Sequence, residues 1–248
     1  YQGKTLKCNA PYYWKVKIDT NKGTTDWSTP AFWTTGLFNE ADWQGQWIGL
    51  DKAAPGDSET QWSRLAARYL RKEFALKKEV KRATVHIAGM GLYELFINGQ
   101  RIGNQVLAPA PTDYRKTILY NTYDVTSLLQ TENAIGVTLG NGRFYTMRQN
   151  YKPYKIPTFG YPKLRLNLIV EYADGSKETI ATNTTWKLTT DGPIRSNNEY
   201  DGEEYDARKE LGNWTQTGYD DKSWMPAQRV SIPSGTLRAQ MMPGMEVT

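Results

Sequence analysis

The run LRLNLIVEYADGSKETIA, residues 164–181, indicates most clearly how this chain folds. Every second residue from Leu164 to Val170 is apolar, and side chains two positions apart lie on the same face of a β-strand. The turn-forming sequence Ala-Asp-Gly-Ser follows at 173–176, and residues 177–181 continue as a second short run. The pattern predicts a β-hairpin with one apolar face turned towards a core.

The same pattern recurs along the chain and predicts an all-β protein. Asn98-Gly99 is a strong two-residue turn signal, because a type I′ turn needs a positive φ at both central positions. We expect Thr84–Ala88 and Leu92–Ile97 to pair as a hairpin. No sustained period of 3.6 residues is present, so helix is limited to short pieces at 125–129 and 207–211. The other predicted strands are Tyr12–Ile18, Arg68–Leu76 and Ala134–Leu139.

Composition excludes several classes of function. The chain has 248 residues, a net charge of +5 and a pI near 9.1, but its basic residues are scattered, which argues against nucleic-acid binding. No apolar run approaches the ~20 residues of a membrane span, so we expect no membrane insertion. The single cysteine, Cys8, excludes an intramolecular disulfide and leaves the compartment open. Because Tyr1 is not an initiator and no leader follows it, we expect a mature chain or a cut piece.

Aromatic residues are unusually frequent, with nine Trp and sixteen Tyr. These side chains offer a flat apolar face and a polar group, which suits the flat C–H faces and hydroxyl rims of sugars. The cores of β-sandwiches are also rich in aromatic residues. Composition therefore leaves carbohydrate binding and core packing equally open.

Three longer motifs resemble the N-terminal region of bacterial α-L-rhamnosidases. They are GLYELFINGQRIGNQVLAPAPTDYRKTILYNTYDVTSLL at 91–129, NAIGVTLGNGRFY at 133–145 and EYDGEEYDAR at 199–208. The flanks agree: residues 12–38 resemble the end of an immunoglobulin- or fibronectin-III-like module, and LRAQMMPGMEV at 237–247 resembles the entry to a following β-sandwich. The order and spacing of the motifs are specific, and the resemblance covers nearly the whole chain.

The resemblance implies three segments. Residues 1–45 are expected to be the C-terminal part of a fibronectin-III- or immunoglobulin-like domain and its linker. Residues 46–232 are expected to form a jelly-roll, galactose-binding-like β-sandwich. Residues 233–248 are expected to lead into the next domain of a longer protein.

The resemblance also implies a function. Related enzymes remove terminal α-L-rhamnosyl residues with inversion, using an acidic pair on a later (α/α)₆ barrel, so this chain is expected to be an accessory, carbohydrate-binding part that is inactive alone. Its expected partners are rhamnose-containing glycans and the downstream catalytic domain, in the periplasm or outside a bacterial cell. A structural spacer without a sugar site is the alternative.

Two positions depart from the pattern of the family. Arg143 stands where related chains often have Trp after the Gly-x-Gly, and Asn104 stands where they commonly carry Asp. The first departure weakens any role inherited from that Trp. The second reduces the charge at a possible cation or sugar site.

An acidic cluster lies at residues 201–206 and has three interpretations. On a strand, Glu204 and Asp206 would share a face at ~7 Å, within the range that inverting glycosidases use. Hard cations such as Ca²⁺ also take carboxylate and amide oxygens. The simplest interpretation is a polar edge on which Arg208 neutralises Asp206 or Glu204.

A sugar site would need amides, a carboxylate and an aromatic wall on loops at one end of the sandwich. Amides suit hydroxyl groups because they offer both donors and acceptors. The candidates for carbohydrate binding are Asn104, Gln105, Asn141, Asn150, Tyr151, Glu203 and Tyr205. Asn104 and Asn150 are also candidate calcium ligands. The only histidine, His86, sits within a predicted strand and is expected to be structural.

Overall fold

The computed structural model describes residues 3–54, 65–146 and 159–246, and it divides into two compact units, residues 1–43 and 44–248. Three short 3₁₀ helices lie at Glu40–Asp42, Thr126–Leu128 and Ala207–Lys209. The strands are β1 (Pro11–Trp14), β2 (Asp19–Thr20), β3 (Gly23–Thr24), β4 (Ala31–Thr34), β5 (Ile48–Gly49), β6 (Arg68–Ala75), β7 (Val80–Met90), β8 (Leu92–Ile97), β9 (Gln100–Arg101), β10 (Gln105–Val106), β11 (Thr117–Asp124), β12 (Glu132–Gly140), β13 (Lys163–Tyr172), β14 (Lys177–Ala181), β15 (Lys187–Thr189), β16 (Ile194–Asn198), β17 (Gly202–Tyr205), β18 (Met225–Pro226), β19 (Gln228–Arg229), β20 (Thr236–Ala239) and β21 (Met245–Glu246).

The first unit contains two small antiparallel pairs, β1 with β4 and β2 with β3. Tyr12 stacks on its cross-strand neighbour Trp33 at 5.1 Å between ring centroids. The predicted strand Tyr12–Ile18 is therefore too long, because the ladder with β4 ends at Trp14. Alternation alone does not show where a strand loses its partner.

The second unit is a sandwich of two main sheets. One has the order β19-β5-β13-β7-β11-β20, with β14 also paired to β13, and the other has the order β18-β15-β6-β12-β8-β9. The main core lies between them. Leu70 and Val137 face Val85 and Leu166 across this space, and Trp186 is fully buried there. Each such buried aliphatic side chain contributes about 1.5–3 kcal/mol relative to exposure.

The two turn predictions are confirmed. β13 and β14 pair in an antiparallel hairpin, and every second residue from Leu164 to Val170 is 0% exposed in the core. Asn98 and Gly99 have φ values of 50° and 82° and close the β8–β9 hairpin, in which Ile97 faces Gln100. Both features depend on local sequence, which explains why they were predictable.

The predicted hairpin of Thr84–Ala88 with Leu92–Ile97 is wrong. β7 pairs with β11 and β13, whereas β8 pairs with β9 and β12 in the other sheet. The chain changes sheets at Gly91, which has a φ of 123°. A Cβ there would lie 2.1 Å from the carbonyl oxygen of Gly140, so only glycine fits this corner.

The C-terminal residues join the second unit as strands. β20 lies parallel to β11, with Thr236 opposite Thr117, and β21 pairs with β10. Within the described ranges no helix is long and apolar enough to cross a membrane.

Candidate functional site

The candidate Asn141 lies in the second unit, where β12 stops against the β16–β17 hairpin. β12 ends at Gly140, and a Cβ at that position would lie 2.7 Å from Oδ1 of Asn197. The absence of a side chain lets the Asn197 amide approach the backbone, where Oδ1 accepts a hydrogen bond from the Asn141 N–H at 2.6 Å. Two segments 56 residues apart in sequence are thereby joined.

Asn141 itself is 2% exposed and ties three segments together. Its Nδ2 donates to the carbonyl oxygens of Leu65 at 2.7 Å and Asn197 at 2.8 Å. Its own carbonyl accepts from the N–H groups of Phe144 and Tyr145. The sugar-site candidate Asn141 therefore ties both the β16–β17 hairpin and the segment at Leu65 to the end of β12.

Three buried polar atoms on the segment 141–146 and on β16 have no hydrogen-bond partner within residues 3–54, 65–146 and 159–246. They are Asn141 Oδ1, Asn197 Nδ2 and Thr146 Oγ1. In both asparagines the other amide atom is hydrogen-bonded: Asn141 Nδ2 donates, and Asn197 Oδ1 accepts. These bonds fix the orientation of each amide. Asn141 Oδ1 and Asn197 Nδ2 thus leave one buried acceptor and one buried donor on the two joined segments.

The exposed face of β17 carries two further candidates. Glu203 and Tyr205 are two residues apart on the strand, so they share a face at ~7 Å. The Tyr205 hydroxyl donates to Glu210, while the side chain remains 53% exposed. This hydrogen bond, with the negative charges of Glu210 and Glu203, raises the pKa of Tyr205. The face therefore combines an exposed, oriented aromatic ring with two carboxylates.

The hairpin owes its shape to its turn sequence. Asn198 Oδ1 accepts from the N–H groups of Tyr200 at 2.8 Å and Asp201 at 2.9 Å, which is the side-chain turn that Asn favours. Gly202 follows with a φ of 74°. Sequence reasoning did not single out Asn197, Asn198 or Glu210. The Asn-Asn pair before a Gly-containing acidic turn was a signal for the hairpin, but nothing local indicated its contact with β12.

At Asp206 the structure agrees with the simplest interpretation of the acidic cluster, in which Arg208 neutralises the carboxylate. Both carboxylate oxygens of Asp206 accept from the Arg208 guanidinium at 2.8 Å, and Oδ1 also caps the 3₁₀ helix at the N–H of Arg208. The side-chain bond from Arg208 lowers the pKa of Asp206 to about 2. Asp206 is thus a paired carboxylate.

Asn104 and Gln105 lie on a different segment. Asn104 is exposed after Gly103, which has a φ of 77°. The Gln105 carbonyl accepts from Arg101 at 2.6 Å, and its side chain approaches the amide of Asn121 at 3.5 Å. In the described part of the chain, no hydrogen bond links these two residues to Asn141 or to β17.

Asn150 and Tyr151 lie outside the described residues, so the structure does not place them. Among the residues it does place, no group of three or more His, Cys, Asp or Glu side chains is arranged to hold a metal ion. Calcium binding by Asn104 and Asn150 stays a prediction.

The fold and this site define a class: a two-sheet β-sandwich module, preceded by a small β unit, with polar and aromatic side chains on an exposed hairpin. Residues 78–248 match the α-L-rhamnosidase N-terminal domain family, and residues 1–39 match the Rha78A-like, N-terminal immunoglobulin domain. The chain therefore belongs to the α-L-rhamnosidase N-terminal domain family, and the predicted family and all-β sandwich class are confirmed.

Similar proteins extend well beyond this chain. An α-L-rhamnosidase of Formosa agariphila is 39% identical over 266 residues, covering 99% of this chain and 28% of its own. The structure of α-L-rhamnosidase from Dictyoglumus thermophilum is 39% identical with a TM-score of 0.85, covering 98% of this chain and 27% of that one. The Aspergillus terreus enzyme is 34% identical, also with a TM-score of 0.85 and covering 94% and 27%. This chain thus spans about a quarter of the length of these relatives.

Proposed function

We propose that this chain is an accessory carbohydrate-binding part of an α-L-rhamnosidase, holding rhamnose-containing glycans for a catalytic domain elsewhere in the longer protein. That domain would remove terminal α-L-rhamnosyl residues with inversion. Family membership supports the assignment to such an enzyme. The observation that carries sugar binding is the exposed face of β17, formed by Tyr205 and Glu203.

The Tyr205 ring is suited to stack on a sugar. Its hydroxyl is held by Glu210, so the ring keeps one orientation while its face stays open to solvent. An aromatic ring that is already ordered loses little conformational entropy when a ligand arrives. Stacking requires only the flat C–H face that a pyranose offers.

The two carboxylates on this face favour a neutral ligand. Glu203 and Glu210 both place negative charge near Tyr205. Carboxylates accept hydrogen bonds from sugar hydroxyls, whereas they repel the acid groups of uronate chains. The face therefore fits a neutral deoxyhexose such as rhamnose better than an acidic polysaccharide.

The support beneath the hairpin makes the face rigid. The Asn141–Asn197 bonds fix β16 to the end of β12, and Asn197 lies opposite Glu203 in the β16–β17 ladder. Asn141 would then serve sugar binding by positioning the hairpin.

Calorimetric titration of L-rhamnose and a rhamnosyl oligosaccharide, with and without Ca²⁺, tests the proposal. Tyr205→Ala should weaken binding at least about tenfold, which corresponds to 1.4 kcal/mol. Glu203→Gln should weaken it by a smaller factor because shape is kept and only charge is lost. Tyr13→Ala, which removes another exposed tyrosine at 72% exposure, is the matched control and should bind normally.

The structural spacer remains the second candidate, favoured by the separation of the predicted ligands: Asn141 is buried, and Asn104 and Gln105 lie on another segment. It predicts no heat and no thermal shift at millimolar sugar for any variant. That result, or equal binding by the Tyr205→Ala and Tyr13→Ala proteins, would refute sugar binding on β17.

A further inference from the structure

An exposed apolar strip runs along β21 and the segment beside it. Met241 is 89% exposed, Met242 is 55% and Met245 is 53%, and Leu107 on the neighbouring segment is 55% exposed. We call the surface formed by residues 105–107 and 241–246 the methionine strip. It is separate from the hairpin face described above.

Backbone contacts hold the two halves of the strip side by side. β10 and β21 pair with Val106 opposite Met245. Gly244 packs so closely that a Cβ there would lie 2.3 Å from Cδ of Gln105. The strip is therefore an ordered surface on the sandwich.

Gln240 anchors the start of the strip to the second unit. Its N–H donates to the carbonyl of Tyr120 at 2.9 Å, and its Oε1 accepts from the N–H of Ala110 at 3.0 Å. The methionines that follow Gln240 nevertheless point away from the core, as their exposure shows.

The exposed side chains are of the kind found at docking surfaces. Contiguous apolar patches on a protein surface mark interaction sites, and methionine adapts its flexible side chain to the partner that covers it. Leu107 has a φ of 55°, a conformation that residues with a side chain rarely adopt, and this backbone presents its side chain outside the sandwich.

We propose that the methionine strip is the docking surface for the domain that follows this chain in the longer α-L-rhamnosidase. The proposal rests on the proposed function only in taking the chain as the N-terminal part of such an enzyme. Relatives carry much further chain besides this N-terminal domain, which covers only 27–28% of their length. Because the strip includes β21, the last described strand, a domain that follows would be tethered beside it. Tethering makes docking intramolecular and raises the effective concentration of the partner surface.

Hydrogen exchange in the 248-residue chain and in the longer protein tests the proposal. Peptides from residues 105–107 and 241–246 should exchange at least about tenfold more slowly in the longer protein, because docking protects their backbone. The turn at 173–176 is the internal control, and its exchange rate should be the same in the 248-residue chain and in the longer protein. Equal exchange of the strip in both proteins would overturn the proposal.

Substitutions that introduce charge into the apolar surface provide the matched variants. Met241→Glu combined with Met245→Glu should restore fast exchange of the strip in the longer protein, and it should leave the unfolding temperature of the 248-residue chain unchanged. Ile232→Glu alters another apolar residue, 70% exposed but outside the strip, and should have no effect on exchange.

Two other outcomes would contradict the proposal. If Ile232→Glu acts as strongly as the strip variants, the effect is not specific to the strip. If the 248-residue chain dimerises in light scattering and Met245→Glu abolishes the dimer, the occupant is a second copy. Sugar titration of the β17 face is a separate measurement, so its failure would leave the exchange result standing.

Discussion

At the scale of single residues, Asn141 was a candidate sugar ligand, but its hydrogen bonds give it a structural role. Its amide hydrogens are both donated to backbone carbonyls inside the protein. Asn141→Ala should lower the free energy of unfolding by about 2 kcal/mol, because two buried carbonyls lose their donor. Urea denaturation measures this change.

Asn104→Ala is the control for that measurement. Asn104 is exposed, so its replacement should change stability by less than about 0.5 kcal/mol. An Asn141→Ala protein of unchanged stability that no longer binds rhamnose would instead make Asn141 a direct sugar ligand.

His86 makes stability depend on pH. The side chain is 0% exposed in β7, and its Nδ1 lies 3.0 Å from the hydroxyl of Thr122. Burial, assisted by the positive charge of Arg82, lowers the pKa of His86 from 6.5 to about 4. As the pH falls from 6.5 to 4, the imidazole is protonated in the unfolded chain but stays largely neutral in the folded chain. The free energy of unfolding therefore falls by about 3 kcal/mol by pH 4.

His86→Gln should reduce this pH dependence. Urea midpoints measured between pH 7 and pH 4 should fall less steeply for the variant than for the unmodified chain. Parallel curves for the two proteins would show that His86 titrates normally.

At the scale of elements, Arg71 connects β6 to the segment 211–224. Its Nε and Nη2 donate to the carbonyls of Trp214 and Gln216 at 2.9 Å, and its guanidinium pairs with the Asp221 carboxylate. The segment covers the face of β6 with a small aromatic cluster, in which Tyr69 meets Trp214 edge-on at 5.5 Å.

Arg71→Met should lower the free energy of unfolding by about 3 kcal/mol, because Asp221 and two carbonyls lose a 1% exposed partner. Limited proteolysis should then cut within residues 211–224. Arg208→Met removes an arginine that is 89% exposed and should leave stability essentially unchanged. Equal effects of the two replacements would show that the Arg71 contacts do not hold the segment.

At the scale of the whole molecule, we predict that the 248-residue chain releases no rhamnose from an aryl rhamnoside above the uncatalysed rate. Asp206 is held ionised by Arg208 with a pKa of about 2, so it cannot donate a proton as a general acid near neutral pH. The full-length α-L-rhamnosidase of Formosa agariphila serves as the positive control. Release by the 248-residue chain that Glu204→Gln abolishes would reveal an active site in the acidic cluster.

The sequence determined the features that depend on neighbouring residues. Alternation from Leu164 to Val170 predicted a strand with the correct buried face, and Asn98-Gly99 predicted the β8–β9 turn, since both follow from local backbone preferences. The order of the sequence motifs identified the α-L-rhamnosidase N-terminal domain family.

Only the tertiary structure decided which strands meet. It placed β7 and β8 in different sheets across Gly91, because pairing depends on contacts between segments far apart in sequence. It likewise brought Asn197 to Asn141, which made Asn141 a support for the hairpin and left Tyr205 and Glu203 as the exposed pair. Side-chain type showed which residues were able to bind a sugar, whereas burial and hydrogen bonding by distant segments decided which of them face solvent.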